Sequence, residues 1–356
     1  MKKIMTIVGA RPQFIKLAPL GGELDKQFNH IVVHTGQHFD DNMLDIFFQE
    51  MGIRKPDINL NIYGGNHGQQ TGEMLIELEK VMIDRQPDLV VVFGDTNSTL
   101  AGALAASKLH IPVMHIGAGL RSYDMKMPEE QNRVCVDHLS AALAVPSHRE
   151  KMNLKKEGIE KNVYLTGDIM VDSMNHFLEY SNQTMGVEGV DLEEGFAVLT
   201  MHRASNTDDE SMLSQLIKLI EKSPMPVIFP VHPRTKKQLA LFNISPKSPI
   251  ILIDPVGYLE MLHLLNKSQV VFTDSGGLQK EAYFLKKPCI TLRNTTEWIE
   301  TIEQNVNTLI IDHNNEINSQ LFFKAINSQY PLEKFKQSYG KPGASLSIVD
   351  IIKTIL

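Results

Sequence analysis

Residues 270–288 read "VVFTDSGGLQKEAYFLKKP", and the fold follows from this stretch. Val270 to Thr273 form an unbroken apolar run, the length of a strand covered on both faces. The run stops at Asp274, Ser275, Gly276 and Gly277. Leu278, Ala282 and Leu285 then recur at helical spacing. A strand that passes through small residues straight into a helix leaves that helix's first N–H groups without carbonyl partners. Those donors and the helix dipole together favour an anion.

Outward from this unit the same pattern repeats in both directions. Apolar runs occur at Ile4–Val8, Ile31–His34, Leu89–Phe93, Val113–Ile116, Ala142–Val145 and Val163–Leu165. A second series occupies Ala197–Thr200, Val227–Phe229, Ile250–Ile253, Val270–Thr273, Ile290–Leu292 and Thr308–Ile311. Amphipathic patterns lie between them. In "GEMLIELEKVMIDRQP", Met74, Leu75, Leu78, Val81 and Met82 share one face, and Pro87 ends the element. Strand alternating with helix predicts an α/β protein with parallel sheets. There are two sets of about six strands, with a seam near Gly167–Met174. The expected domains are 1–168 and 169–342, with a helical tail, 343–356, able to pack on either half. Residues 179–194 read as an exposed loop or a frayed helix. Two Rossmann-like, doubly wound domains facing a central cleft would gather a ligand at the carboxyl ends of their strands.

The chain has 356 residues, enough for two domains, with 42% hydrophobic and 22% charged residues. Its net charge is −7 and no Lys/Arg-rich block stands out, so nucleic acid is not expected as a partner. The two cysteines, Cys135 and Cys289, sit in apolar contexts and imply no disulfide framework. The opening "MKKIMTIVGARP" has lysines before an apolar run, but the run is short and no small-residue cleavage site follows. No stretch of about 18 apolar residues exists to span a membrane. A cytoplasmic protein is expected.

Chemistry-bearing residues collect where the apolar runs end. The first ends in "GARPQFIK", with Arg11 and Lys16. The second ends in "HTGQHFDDN", with Gln37 and His38, and the third in "GDTNST", with Asp95. The fourth ends in "GAGLRSYDMKMPEEQNR", with Arg121, Glu129, Glu130 and Arg133. In the second half follow "MHRASN" with His202 and Arg203, "PVHPR" with His232 and Arg234, and "RNTTEWIE". Each has a plainer reading: an Arg after a strand often faces solvent, a lone His is more often structural, and Asp95 could cap the helix after it. Their weight lies in co-occurrence. Several cations with a helix start suit a phosphate or diphosphate, and carboxylates beside them suit proton transfer. No G-x-G-x-x-G follows the first strand, and Walker A, H-E-x-x-H and G-x-S-x-G patterns are absent. Neither a redox cofactor nor a metal is implied.

Taken in order, "GARPQFIKLAPL", "TGQHFD", "FGDTNSTLAGALAA", "GAGLRS…MPEEQNR", "MHRASN", "PVHPRT", "FTDSGGLQKEA" and "TEWIE" resemble the non-hydrolysing UDP-N-acetylglucosamine 2-epimerases. The resemblance covers nearly the whole chain. The spellings "GARPQF" and "TEW" are closer to the branch acting on UDP-2,3-diacetamido-2,3-dideoxy-glucuronate. The resemblance implies a glycosyltransferase-B-like fold, a homodimer, a UDP-sugar substrate for surface-polysaccharide precursors, and no cofactor. It implies C1–O cleavage by anti elimination to UDP and a 2-acetamidoglycal, then re-addition with C2 inverted. Ser275, Gly276 and Gly277 would hold the diphosphate, Glu281 the uridine ribose, and Arg11 a phosphate. His202 would stabilise departing UDP. Asp95 and Glu129 would be the carboxylates of proton transfer, and Lys16, Gln37, His38, Arg133, Arg203 and His232 would complete the substrate site. One position departs. The family motif has a catalytic Glu between His-Val/Ile and Ala-Gly-Leu-Arg, where this chain has Gly117. Epimerisation, hydrolysis to UDP and free sugar, and UDP-sugar binding without catalysis therefore all stay open at this point.

Overall fold

A computed structural model describes residues 1–36, 48, 53–184 and 195–356, without the side chains of 179–184. Gln37 and His38 lie outside the described residues. The chain divides into two compact units, one of residues 1–176 with 337–356 and one of residues 177–336. The helix Ile169–Thr184 runs through that division.

In the first unit the described strands are β1 (Lys3–Val8), β2 (Asn29–His34), β3 (Ile58–Asn59), β4 (Leu89–Phe93), β5 (Val113–Ile116), β6 (Ala142–Val145) and β7 (Val163–Leu165). They form one sheet in the order β3-β2-β1-β4-β5-β6-β7, parallel throughout. β3, two residues long, is an addition to the six expected runs. β4 is wholly buried, which is why its sequence, Leu-Val-Val-Val-Phe, shows no polar alternation. The helix Asn97–Lys108 lies close on the sheet because its inner residues are small. A Cβ on Gly102 would come within 2.7 Å of Ile7 Cδ1. The terminal helix Ala344–Ile355 packs on the helix Arg11–Gln27. Asp172 anchors it by accepting from the N–H groups of Gly343 and Ser345, both at 2.7 Å.

The second unit contains β8 (Ala197–Thr200), β9 (Val227–Pro230), β10 (Ile250–Ile253), β11 (Val270–Thr273), β12 (Cys289–Thr291) and β13 (Asn307–Leu309). Their order is β10-β9-β8-β11-β12-β13, again parallel. β12 and β13 begin one residue earlier than the apolar runs suggested. Successive strand residues feed opposite layers. Ala197, Leu199, Phe272 and Phe229 join one core cluster, while Val198, Val271 and Ile228 join the other. Each of these side chains larger than alanine contributes about 1.5–3 kcal/mol by leaving water. The helix Glu210–Ile220 shows the local logic. Asp209 caps it by accepting from Met212 N–H at 2.8 Å, and Leu213, Leu216, Ile217 and Ile220 turn inward.

In each unit the first strand is flanked by the second and the fourth in chain order, so the sheet order reverses beside β1 and beside β8. Crevices at the carboxyl ends of strands at such reversals are where open α/β sheets bind ligands.

Candidate active site

In the first unit the reversal point is organised by Gln13, a residue the sequence reading passed over. Its Oε1 accepts from the N–H groups of Gly9 and Ala10 at 2.7 and 3.0 Å. Its amide nitrogen donates to Phe93 O at 2.8 Å and to Thr99 Oγ1 at 3.0 Å. One buried amide thus ties the turn after β1 to the turn after β4. Arg11 lies exposed at the start of the helix Arg11–Gln27. Lys16 is half-buried one turn further on, its Nζ 4.0 Å from where a Cβ on Gly94 would stand.

Asp95 follows Gly94 and is held from two sides. Its carboxylate pairs with Arg133 at 2.5 Å, and its carbonyl accepts from Asn132 Nδ2 at 2.9 Å. Arg133 also pairs with Glu130 at 3.1 Å. The adjacent glutamates, both candidates by sequence, part company here. Glu130 is buried and accepts from Ser122 N–H, Ser122 Oγ and Tyr123 N–H at 2.8 to 3.0 Å, so it shapes the loop before its own helix. Glu129 is exposed in the first turn of the helix Pro128–Leu139. Arg121 is also not presented to a ligand. It is buried between Asp137 and Glu157, in ion pairs of 2.7 Å each. Cys135 is exposed, contrary to its apolar sequence context, because its neighbours Val136 and Asn132 take the inner face.

Gly117 follows β5 with φ at +80°, a conformation L side chains rarely adopt. A Cβ built on it meets nothing within 4 Å. The position is therefore open to a side chain but strained for one.

In the second unit the reversal point centres on Asp274, fully buried after β11. It accepts from the N–H groups of His202 and Arg203, both at 2.9 Å, and from Asn206 Nδ2 at 3.1 Å. His202 Nδ1 lies 3.1 Å from its Oδ1. Burial pushes the Asp274 carboxyl up, but the hydrogen bonds from His202 and Arg203 outweigh burial and hold it below its ordinary value. The sequence signal for Asp274 was its place at a strand end; the histidine partner 72 residues away was not legible. The ring of His232 lies 5.6 Å from that of His202. Its Nδ1 accepts from Arg234 N–H at 3.2 Å, so neutral His232 carries its proton on Nε2. Burial, then the charges of His202 and Arg234, lower its pKa. Arg234 itself pairs with Asp208.

The helix Gly276–Phe284 begins beside Asp274. Ser275 is its N-cap, its Oγ accepting from Leu278 N–H. Arg293 and Glu297 form a bidentate pair of 3.0 and 2.9 Å next to Gly276. Trp298 Nε1 donates to Gly276 O at 2.7 Å, and Lys280 Nζ sits 3.9 Å above its ring. One turn into the helix, Glu281 is buried. Burial pushes its carboxyl up to about 7, against the opposing hydrogen bond from Tyr258. Among the described residues, no group of three His, Cys, Asp or Glu side chains converges on a metal position, and no helix is long and apolar enough to cross a membrane.

Comparison with known proteins gives a concordant picture. Residues 22–353 match the family model described as UDP-N-acetylglucosamine 2-epimerase. The chain is 48% identical over 316 residues to the UDP-2,3-diacetamido-2,3-dideoxy-D-glucuronate 2-epimerase of Pseudomonas aeruginosa, covering 86% of this chain and 88% of that one. It is 43% identical over 365 residues to the UDP-N-acetylglucosamine 2-epimerase of Methanocaldococcus jannaschii, covering 98% of each. The crystal structure of the Methanocaldococcus jannaschii enzyme in complex with UDP-GlcNAc and UDP superposes with a TM-score of 0.87 at 41% identity, covering 99% of both chains. The chain belongs to the UDP-N-acetylglucosamine 2-epimerase family.

Proposed function

We propose that this protein inverts C2 of a UDP-2-acetamido sugar, by elimination and re-addition of UDP. A carboxylate removes the C2 proton while the C1–O bond breaks with its electron pair leaving on UDP. The 2-acetamidoglycal then takes back UDP oxygen at C1 and a proton at C2 from the opposite face. Asp95 and Glu129 are the carboxylates in this reading, and Lys16, Arg133 and Arg11 are the nearby cations. His202, oriented by Asp274, stabilises the departing UDP. Ser275, Gly276 and Gly277 hold the diphosphate at the helix start and Glu281 receives the ribose hydroxyls, with Arg203 and His232 lining the same end. Gln37 and His38 are further substrate-binding residues in this reading.

The observation that carries the reading is the Asp274–His202 pair, set directly against the Ser275–Gly277 helix start. In this reading the leaving-group donor and the phosphate cradle stand on two adjoining turns. The 48% identity to a diacetamido-glucuronate 2-epimerase stands beside 46% and 43% to UDP-N-acetylglucosamine 2-epimerases, so both sugars belong to the proposal. The test is product identification by NMR after incubation with each UDP-sugar. The epimer is expected, and UDP with free sugar would mean hydrolysis instead. Gly117 supports a second reading, in which the chain binds UDP-N-acetylglucosamine but turns it over poorly. A cytoplasmic homodimer goes with the same proposal. Exposed Ile76 and Ile83, seven residues apart on one helix, support the dimer, and light scattering tests it.

A further inference from the structure

Behind the turn that carries Asp95 lies a set of buried charges with no direct part in the proposed reaction. His115, on β5, is completely buried. Its Nε2 lies 2.7 Å from the carbonyl oxygen of Gly94, and its Nδ1 lies 2.7 Å from Asp137 Oδ1. The Asp137 Oδ2 accepts from Gly119 N–H at 3.1 Å and from Arg121 at 2.7 Å. Arg121 continues onto Glu157 through two further contacts of 2.7 Å. Burial pushes the Asp137 carboxyl up, but His115 and Arg121 outweigh it and hold the group below its ordinary value.

Both partners of the His115 ring are therefore acceptors. A carbonyl oxygen has no proton to give, and neither has an ionised carboxylate. A neutral imidazole owns one N–H and would leave one of the two short contacts with lone pairs opposed. Only the doubly protonated ring satisfies both. The buried charges then pair off, His115 and Arg121 on Asp137, with Arg121 running out to the partly exposed Glu157.

The carbonyl that His115 grips belongs to the residue before Asp95. The residue's own N–H is fixed too, because Gly94 N–H donates to Ile116 O at 3.1 Å. Asp137 meanwhile holds Gly119, two residues beyond Gly117. We propose that His115 is a buried imidazolium acting as a positioning residue. It locks the end of β4 to the end of β5 so that Asp95 is presented in one orientation for proton transfer. This rests on reading Asp95 as a catalytic carboxylate.

The charge is tested on the wild-type protein labelled with ¹⁵N in its histidine rings, with His115→Gln supplying the assignment. In the folded protein both ring nitrogens of His115 should carry protons and exchange slowly. One bare nitrogen would overturn the proposal. The positioning role is tested by turnover of His115→Gln and Asp137→Asn, well below their melting temperatures. Misplacing a reacting group costs about 10–100-fold. That loss is expected in kcat, with KM little changed and the spectrum of the remaining fold intact. Wild-type kcat in a folded His115→Gln protein would overturn it. Full turnover by Asp95→Asn would overturn the reading of Asp95 on which the positioning role rests; the wild-type spectrum decides the charge separately.

Discussion

Replacing Gly117 by glutamate sets two physical effects against each other, and the structure supplies both sides. On the side of cost, φ is +80°, where an L residue is disfavoured by about 1–2 kcal/mol. No steric term adds to this, because a Cβ at this position meets nothing within 4 Å. For a unit of this size such a loss lowers the melting temperature by roughly 2–8 °C. On the side of gain, a carboxylate restored to a proton-transfer site is worth about 10²–10⁴-fold, or about 3–5.5 kcal/mol of barrier. The cost is small against the roughly 5–15 kcal/mol by which a folded domain is stable, and the gain acts separately, on the reaction barrier. Gly117→Glu should therefore fold, melt a few degrees lower, and epimerise UDP-N-acetylglucosamine faster than the natural protein. The assay is turnover of that sugar by both proteins with melting curves alongside. A natural protein that is already fast, with a folded glutamate variant no faster, would refute the reasoning and make a carboxylate dispensable here.

Other outcomes follow from the same geometry. UDP should raise the melting temperature and NAD should not. A ligand at about 100 times its Kd adds roughly 2.7 kcal/mol, and Ser275→Glu should abolish the shift by putting an anion where phosphate belongs; a shift with NAD alone would contradict this. His202→Ala, Asp95→Asn and Glu129→Gln should each lower turnover by roughly 10²–10⁴-fold without unfolding the protein, and near-normal turnover removes that residue from the mechanism. His202 and Asp274 should act as one unit. His202→Ala with Asp274→Asn should be no slower than the slower single variant, whereas additive losses would separate them. Glu281 should make stability pH-dependent. Its folded-state carboxyl, near 7, lies above the unfolded value of about 4.3, so the native state binds the extra proton and stability falls as pH rises between those values. The difference from Glu281→Gln should change by about 3.5 kcal/mol across that window, and a pH-independent difference would count against it.

The sequence carried the strands well because β4 and β6 are buried on both faces and uninterruptedly apolar, and β5 and β11 each carry a single polar residue, His115 and Thr273. β3 was not legible, since two residues of ladder leave no pattern. Strand order was not legible either, because the apolar runs carry no mark of which neighbour they pair with. Among the candidate site residues, Asp95, His202 and Ser275 all stand at strand ends, and that position was their signal. What it could not separate was presentation from support. Glu129 and Glu130 are chain neighbours, yet helix geometry turns one outward and the other onto the backbone of Ser122 and Tyr123. Gln13, Asp137 and Asp274 escaped for a related reason. Their partners lie 80, 22 and 72 residues away, and only the folded sheet brings them together.

The central claim is that the C2–H bond is broken and remade with a solvent-derived proton. It is tested most directly by incubating the protein with its UDP-acetamido sugar in D₂O and following C2 by NMR. The account predicts that the epimer appears with deuterium at C2, and that UDP-linked sugar is conserved throughout. Epimer formed with protium retained at C2 would contradict it, because the proton would then have been transferred within the molecule or carried as hydride.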